Sequence, residues 1–285
     1  MRLDIHRSGR GAWQGGRVVD WGRAKTILII AFLLLDLLLV WELAERQSVL
    51  EESLMTAAEA LEQRLRQEGV ELAAEVPADI PDGWVLTVEF LDVEPPAELT
   101  YELEPSRRQP NQWTVHLLRP YPLLRVGNVS AEPFPDLPPD LVNAAHQYVA
   151  DPLLSTAEQW RYVQVVQGVP MFHVGLVLEL ENGQVARYHQ SLVAVRKREQ
   201  APALISAATA VYSLLEKHYL PAGAVLREVR FGYYGRLYDA DQQVLNPVWR
   251  VVYDERGENG PRNVLFVNAI TGSLELEDQE TRLEE

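Results

Sequence analysis

Cysteine is absent from this chain of 285 residues. Disulfide frameworks, thiolate metal sites and cysteine nucleophiles are all excluded by that one lack. Lysine is nearly absent as well: Lys25, Lys197 and Lys217 stand alone, and the other basic residues are arginine. We read this as a GC-rich coding bias. Basic charge is short overall, with 26 Lys and Arg against 41 Asp and Glu, for a net charge of −15.

Catalytic motifs are missing too. The histidines (His6, His116, His146, His173, His189 and His218) are scattered, with no His-x-x-x-His or His-Glu-x-x-His pairing. There is no Gly-x-Ser-x-Gly elbow and no glycine loop of the phosphate-cradling kind. The acidic stretches Asp239-Ala-Asp241 and Asp254 to Gly260 lack the spaced ligand series of a calcium loop and read as solvated hairpin loops. Carboxylates are plentiful, but nothing singles out a catalytic pair. No catalytic residue, metal ligand or cofactor is therefore expected, and the chain reads as a binding or sensing module rather than an enzyme.

What the chain does have begins with asymmetry. Arg2, Arg7, Arg10, Arg17, Arg23 and Lys25 precede an apolar run, with only Asp4 and Asp20 against them. Beyond Asp36 lie 20 basic and 38 acidic residues, so a small basic head leads a large acidic body. Such a body repels nucleic acid, which is not an expected partner. The run from Thr26 to Trp41 is short of the roughly 20 residues a bilayer requires, but counting from Trp21 to Ala44 reaches that length. Trp21 and Trp41 sit where interfacial aromatics belong, and Arg23 and Lys25 place the N-terminus in the cytoplasm. Trp41-Glu-Leu-Ala-Glu-Arg-Gln47 offers no small-residue cleavage pattern, so the segment reads as an uncleaved anchor. We expect a single-pass membrane protein with everything after the anchor outside, and the lack of cysteine permits life outside a Gram-positive-type cell membrane without oxidative folding. Residues 1–17 carry no periodicity, and the natural start is expected at Val18 or Val19; N-terminal sequencing of the native protein checks this.

Asp36 stands inside the leucine run. With Trp41 five residues on, it lies about 7–8 Å below the outer interface at the helical rise. There it either stays protonated or reaches the headgroups, or it hydrogen-bonds to a partner's membrane helix. Asp36, Trp21, Trp41 and Lys25 are the candidate partner contacts within the membrane.

After the anchor, Leu50, Leu54, Ala57, Leu61 and Leu65 recur at helical spacing. That stripe either packs on the chain's own domain or forms a short coiled coil with a partner, which makes Leu50, Leu54, Leu61 and Leu65 candidate extracellular contacts. The period then becomes two. Strands are expected at Trp84–Val93, Glu98–Leu103 and Gln112–Leu118, followed by a proline-rich stretch, Pro120 to Pro139. Beyond it we expect a helix over Leu141–Val149, a hairpin pairing Met171–Leu180 with Gln184–Val195, a helix over Ala201–Tyr219, and strands at Val225–Tyr234, Pro247–Asp254 and Asn263–Ala269. A three-residue loop with Gly183 left-handed pairs Leu178 with Ala186 and Leu176 with Tyr188, and puts His173 and His189 on one face. The fold class is α+β, a single transmembrane helix followed by helices on antiparallel sheet, with two halves of similar order. The division is a head at 1–19, an anchor at 20–44, a juxtamembrane helix and first sub-domain at 45–135, and a second sub-domain at 136–285 ending in an acidic tail.

Several stretches together resemble the YycI family. They are Asp20-Trp-Gly-Arg-Ala-Lys-Thr-Ile-Leu-Ile-Ile-Ala-Phe-Leu-Leu-Leu-Asp-Leu38; Gln167-Gly-Val-Pro-Met-Phe172 with Gly183 and Tyr188-His-Gln190; Phe231-Gly-Tyr-Tyr234; Pro247-Val-Trp-Arg-Val251; and Val267-Asn-Ala-Ile-Thr-Gly272. The resemblance implies a membrane-bound, non-enzymatic regulator of the cell-wall-controlling two-component system. It implies action with a YycH-type protein on a sensor histidine kinase of the YycG/WalK type, partly through transmembrane helices. The closing helix and strands also resemble PepSY-type domains, which implies an alternative role as an extracellular inhibitor or chaperone of a peptidase.

Overall fold

The computed structural model describes residues 25, 28–30, 32–36, 38–39, 59–105, 113–123, 134, 136–235, 240, 242–256 and 260–275. The chain divides into two compact units, Met1–Ser53 and Leu54–Glu285. In the first, the described residues from 25 to 39 are helical, and Leu28, Ile29, Ile30, Phe32, Leu33, Leu34, Leu35, Leu38 and Leu39 are each 48–62 % exposed. No helix among the described residues is long and apolar enough to cross a membrane. Most of the expected span at 20–44 lies outside the described residues.

The second unit is dominated by strands. Helix α1, described over residues 59–68, and helix α2, Ala207–Glu216, join strands β1 (Glu71–Leu72), β2 (Trp84–Phe90), β3 (Tyr101–Pro105), β4 (Trp113–Pro122), β5 (Tyr148–Ala150), β6 (Gln159–Val166), β7 (Val169–Glu181), β8 (Gln184–Gln190), β9 (Val193–Gln200), β10 (Val225–Tyr234), β11 (Gln242–Asp254), β12 (Arg262–Asn268) and β13 (Leu274–Glu275). The main path of pairing runs β13-β12-β11-β10-β7-β8-β4-β3. All these pairs are antiparallel except β10 with β7, where Tyr233 opposite Met171 is the single parallel match. Strand β2 pairs with β9 and with the start of β11. Strands on both sides of residues 135/136 thus hydrogen-bond to each other: β4 to β8, and β2 to β9 and β11.

Two large cores result. Alternate residues of β10 and β11 point to opposite faces, and one face (Val229, Trp249, Val251 and Tyr253) packs under Leu61 and Leu65 of α1 and Ala207, Val211, Leu214 and Leu215 of α2. The second core lies on the β3-β4-β8-β7-β6 half, where Val115, Trp160, Tyr162, Leu178 and Tyr188 are covered by Leu137, Leu141 and Val142. A smaller core at Met171, Val174, Tyr233, Leu86, Val88 and Leu245 sits between the halves.

The α+β class stands, with far more strand than helix. The expected helix over Leu141–Val149 does not form. The chain there makes turns, a 3-10 turn at Ala145–Gln147 and then β5. Leu141 and Val142 are adjacent and both fully buried, and Ala144 is left-handed at φ 56°. The segment is pinned by polar bonds instead: Asn143 Nδ2 donates to Glu94 O, and Gln190 Nε2 donates to Asn143 O at 2.7 Å.

The hairpin register also differs. Asn182 and Gly183 both have positive φ, 52° and 77°, so the loop is a two-residue turn of the type whose twist suits a hairpin. Glu181 therefore faces Gln184, and after a bulge near Ala186, Leu178 faces Tyr188 and Leu176 faces Gln190. His189 then pairs with Val177, not beside His173. Strand β6 was not anticipated. Its Trp160 and Tyr162 alternate with Arg161 and Val163, and Gln167-Gly168 (φ 53° and 84°) turns it into β7. Helix α2 is shorter than expected because Ser206 ends the extended entry and caps the helix, its Oγ accepting from Thr209 N at 3.1 Å.

Candidate functional site

Phe172, Gly232, Tyr234 and Arg250, from three of the stretches singled out in the sequence, meet on the other face of β10–β12. Between Met171 and Gly175 strand β7 leaves its register with β6, so Phe172, His173 and Val174 arch away from it. Gly232 admits this arch: a Cβ there would lie 2.4 Å from the Phe172 ring. Phe172 in turn lies under Arg250, whose guanidinium carbon is 4.5 Å from the ring centroid. Tyr234 stacks on Phe266 at 4.1 Å, and His173 lies 4.1 Å from Tyr234 with its Nδ1 3.3 Å from Gly235 O.

Arg250 is the centre of this face. It is only 1 % exposed, yet it is an arginine in mid-strand. Both guanidinium ends are engaged: Nη1 and Nη2 donate to the Asp151 carboxylate, the latter at 3.2 Å, while Nε donates to Glu228 Oε1 at 2.8 Å. Burial works against its charge, but the Asp151 and Glu228 carboxylates outweigh that and hold its pKa above the ordinary arginine value. Next to it, Asp254 accepts from Arg262 and Arg227, each at 2.7 Å; these bonds, Arg262's first, keep its carboxyl below the usual range against the opposing effect of burial. Arg262 also donates to Leu153 O at 2.6 Å. Arg227, Arg250 and Arg262 thus balance Asp151, Glu228 and Asp254 one for one. Chemically the cluster is a neutralised joint, in which each of these six charges has an opposite partner.

The other quoted stretch, Val267 to Gly272, serves as a brace. Asn268 Oδ1 accepts from Ile270 N and Thr271 N, Gly272 takes φ 69°, and Trp249 Nε1 donates to Ile205 O at 2.9 Å, tying the sheet to the entry of α2.

The sequence-predicted site residues fall elsewhere. Lys25 and Asp36 are helical and exposed, whereas Trp21, Trp41, Leu50 and Leu54 lie outside the described residues. Leu61 and Leu65 are 2 % and 1 % exposed in the α1–α2 core. Of the two uses of that stripe, packing on the chain's own domain is the one these two residues make, and neither is open to a partner in this structure. Among the described residues no group of three or more His, Asp or Glu is arranged to hold a metal. Sequence reasoning missed the role of Asp151 and Arg250. The one available signal was an arginine between Trp249 and Val251 in the otherwise apolar run Val248–Tyr253.

This is a sheet-dominated α+β protein whose marked residues build a charged joint between two packed halves. Residues 127–270 match the family model described as YycI protein, and the chain belongs to the YycI family, whose members regulate the YycFG two-component system. The match takes in the joint's Asp151, Phe172, Gly232, Arg250 and Phe266 and begins well after residues 20–44. No curated protein matches the chain. Among solved structures, an uncharacterized protein from Eubacterium rectale ATCC 33656 is similar at 15 % identity and a TM-score of 0.32, covering 42 % of each chain.

Proposed function

We propose that this chain is a membrane-anchored, non-enzymatic regulator of a sensor histidine kinase of the YycG/WalK type, acting with a YycH-type partner. Its anchor spans a Gram-positive-type cell membrane with the N-terminus in the cytoplasm and the acidic domain outside. Family membership carries the regulatory reading. The nine large apolar side chains between Leu28 and Leu39 support the membrane reading, because a helix apolar on all sides needs an apolar surround. Asp36 is exposed on that helix and offers a polar contact to a neighbouring membrane helix.

The direct test removes the outer domain and keeps residues 19–45. Kinase output is expected to respond still to the anchor alone, and output indifferent to it sinks the membrane half of the reading. Asp36→Leu is expected to leave membrane insertion intact and to weaken co-purification with the kinase and the YycH-type protein. Unchanged co-purification removes Asp36 from the contact.

A further inference from the structure

We propose that the free edge of β9 is a docking site for an extended, acidic segment of a partner protein, which adds to the sheet as a further strand. This goes beyond the regulatory reading, since it concerns one backbone edge of the outer domain and does not depend on which partner the chain regulates. Among the described residues, β1, β3, β5, β9 and β13 pair on one side only. Of these β9 is the longest, at eight residues, and no strand or helix other than β2 runs alongside it. Its register shows which groups are open. Ala201 N donates to Gly83 O and Leu91 N to Leu192 O, so the bonds to β2 alternate inward from these two ends. They pass through Lys197 and Glu199, and the register shift near Arg196 keeps the two ends in step. Val193, Val195, Arg198 and Gln200 therefore turn their N–H and C=O groups away from β2. At Val193 a side chain stands in for the missing strand: Gln164 Oε1 accepts from Val193 N at 2.9 Å, and its Nε2 donates to Val193 O at 3.0 Å. No such stand-in meets Val195, Arg198 or Gln200 among the described residues, and every residue from Arg196 to Gln200 is exposed.

Charge selects the occupant. Arg196-Lys197-Arg198 is the only run of three basic residues in the chain, and it is set in the acidic body. Arg196 and Lys197 bond Glu89 and Glu199, each at 2.6 Å, but Arg198 reaches only the neutral Gln167. Positive charge is thus in excess at a residue whose backbone is open. Strand addition draws affinity from the main chain and specificity from the side chains beside it. Basic residues on an edge repel a like strand, which disfavours pairing of β9 with a second β9. The same residues favour a strand that brings carboxylates. The five-residue edge of β3 offers the reverse, with Glu102 and Glu104 exposed and Pro105 at its end.

The test titrates the full chain, held in phosphatidylcholine nanodiscs, into a fluorescein-labelled peptide that alternates valine with glutamate and matches β9 in length. Saturable binding, read by fluorescence anisotropy, is expected for this peptide and not for its valine–lysine counterpart. The acidic peptide N-methylated at two adjacent central residues, which blocks both of its edges, is expected not to bind. Arg198→Pro removes an outward N–H and leaves the bonds of Lys197 and Glu199 to β2 in place. It should weaken binding at least about tenfold. Arg198→Glu should do the same through charge, and it serves if Arg198→Pro does not fold. On binding, amide exchange should slow at Arg198 and Gln200 and stay unchanged at Lys197 and Glu199, a pattern that electrostatic attraction alone does not give. Binding that survives N-methylation or both variants overturns the docking edge, as does no binding at all. Two further outcomes overturn the partner. Affinity that rises when residues 276–285 are removed gives the edge to the chain's own acidic tail, and a dimer that Arg198→Pro dissociates gives it to a second copy.

Discussion

The two cores solve the same problem with different means. Under α1 and α2, helices cover one face of β10–β12, and their backbone bonds are satisfied internally, so the cover needs few polar contacts to the sheet. Over β3-β4-β8-β7-β6 the cover is irregular chain, and its backbone groups must find partners elsewhere. Some do so within the cover, Leu141 N and Val142 N donating to Pro138 O and Gln147 N to Ala144 O, and side chains add the rest of the stitching. Gln190 reaches Asn143 O and Tyr148 OH; Tyr148 OH donates to Ser191 O; Gln164 bonds Gln147 and both backbone groups of Val193. One core is covered by periodic structure and the other is stitched. The difference explains why the charged joint lies between them: the stitched half has no helix with which to grip its neighbour, and grips with Asp151 instead.

The largest effect is expected at that joint. Arg250→Ala leaves the Asp151 carboxylate buried without its partner and should cost about 3–5 kcal/mol of unfolding free energy, measured by denaturant titration. The paired change Arg250→Met with Asp151→Leu should recover most of that loss, since replacing both partners removes the stranded charge. If the double variant is as unstable as the single one, the cost belongs to the geometry of the arch and not to the ion pair.

Next come the two covers. Leu65→Ala under α1 and Leu141→Ala in the stitched cover both empty fully packed positions, and each should cost about 2–5 kcal/mol. Leu65→Ala is expected to be the costlier. A helix cannot shift one residue inward to fill a cavity, whereas an irregular segment relaxes more readily. Equal losses would mean that the stitched cover is as rigid as the helical one.

These contrasts mark what was legible. The strands Val225–Tyr234 and Trp84–Phe90 and the body of α2 were readable because their apolar periods are local. The stripe of Leu61 and Leu65 was readable as a helix face, but what it faces depends on β10–β12, far along the chain. The stitched cover reads as a helix because Leu141, Ala144 and Ala145 are good helix formers. Tertiary burial of adjacent residues overrode that preference. The hairpin register hinged on whether Asn182 or only Gly183 takes positive φ, a choice that composition leaves open. The Asp151–Arg250 pair was illegible for the same reason as most ion pairs between distant segments: the two residues share no local pattern.

Acid should weaken the charged cluster through Asp254. Asp254 is held below its ordinary value of 3.8 in the folded state. Its contribution is therefore full above about pH 4 and is lost as pH falls through the folded value. Stability measured from pH 6 down to pH 2 should drop less steeply in Arg262→Gln than in the parent, because that variant has less of the shift to lose. Identical slopes would remove Asp254 from the acid response.

The smallest effects compare the entry to each cover. Ser206→Ala removes the bond to Thr209 N that starts α2 and should cost about 1 kcal/mol. Ala144→Gly should do the reverse in the stitched cover. Ala144 sits at φ 56°, where an L side chain crowds the following carbonyl by roughly 1–2 kcal/mol. Glycine avoids that crowding and gives back part of the gain as unfolded-chain entropy, leaving a stabilisation of up to about 1 kcal/mol. A melting temperature that rises in Ala144→Gly and falls in Ser206→Ala fits a cover that is strained where it turns and a helix that is well begun. A fall in both would mean that the left-handed turn at Ala144 is held in place by the Ala methyl itself.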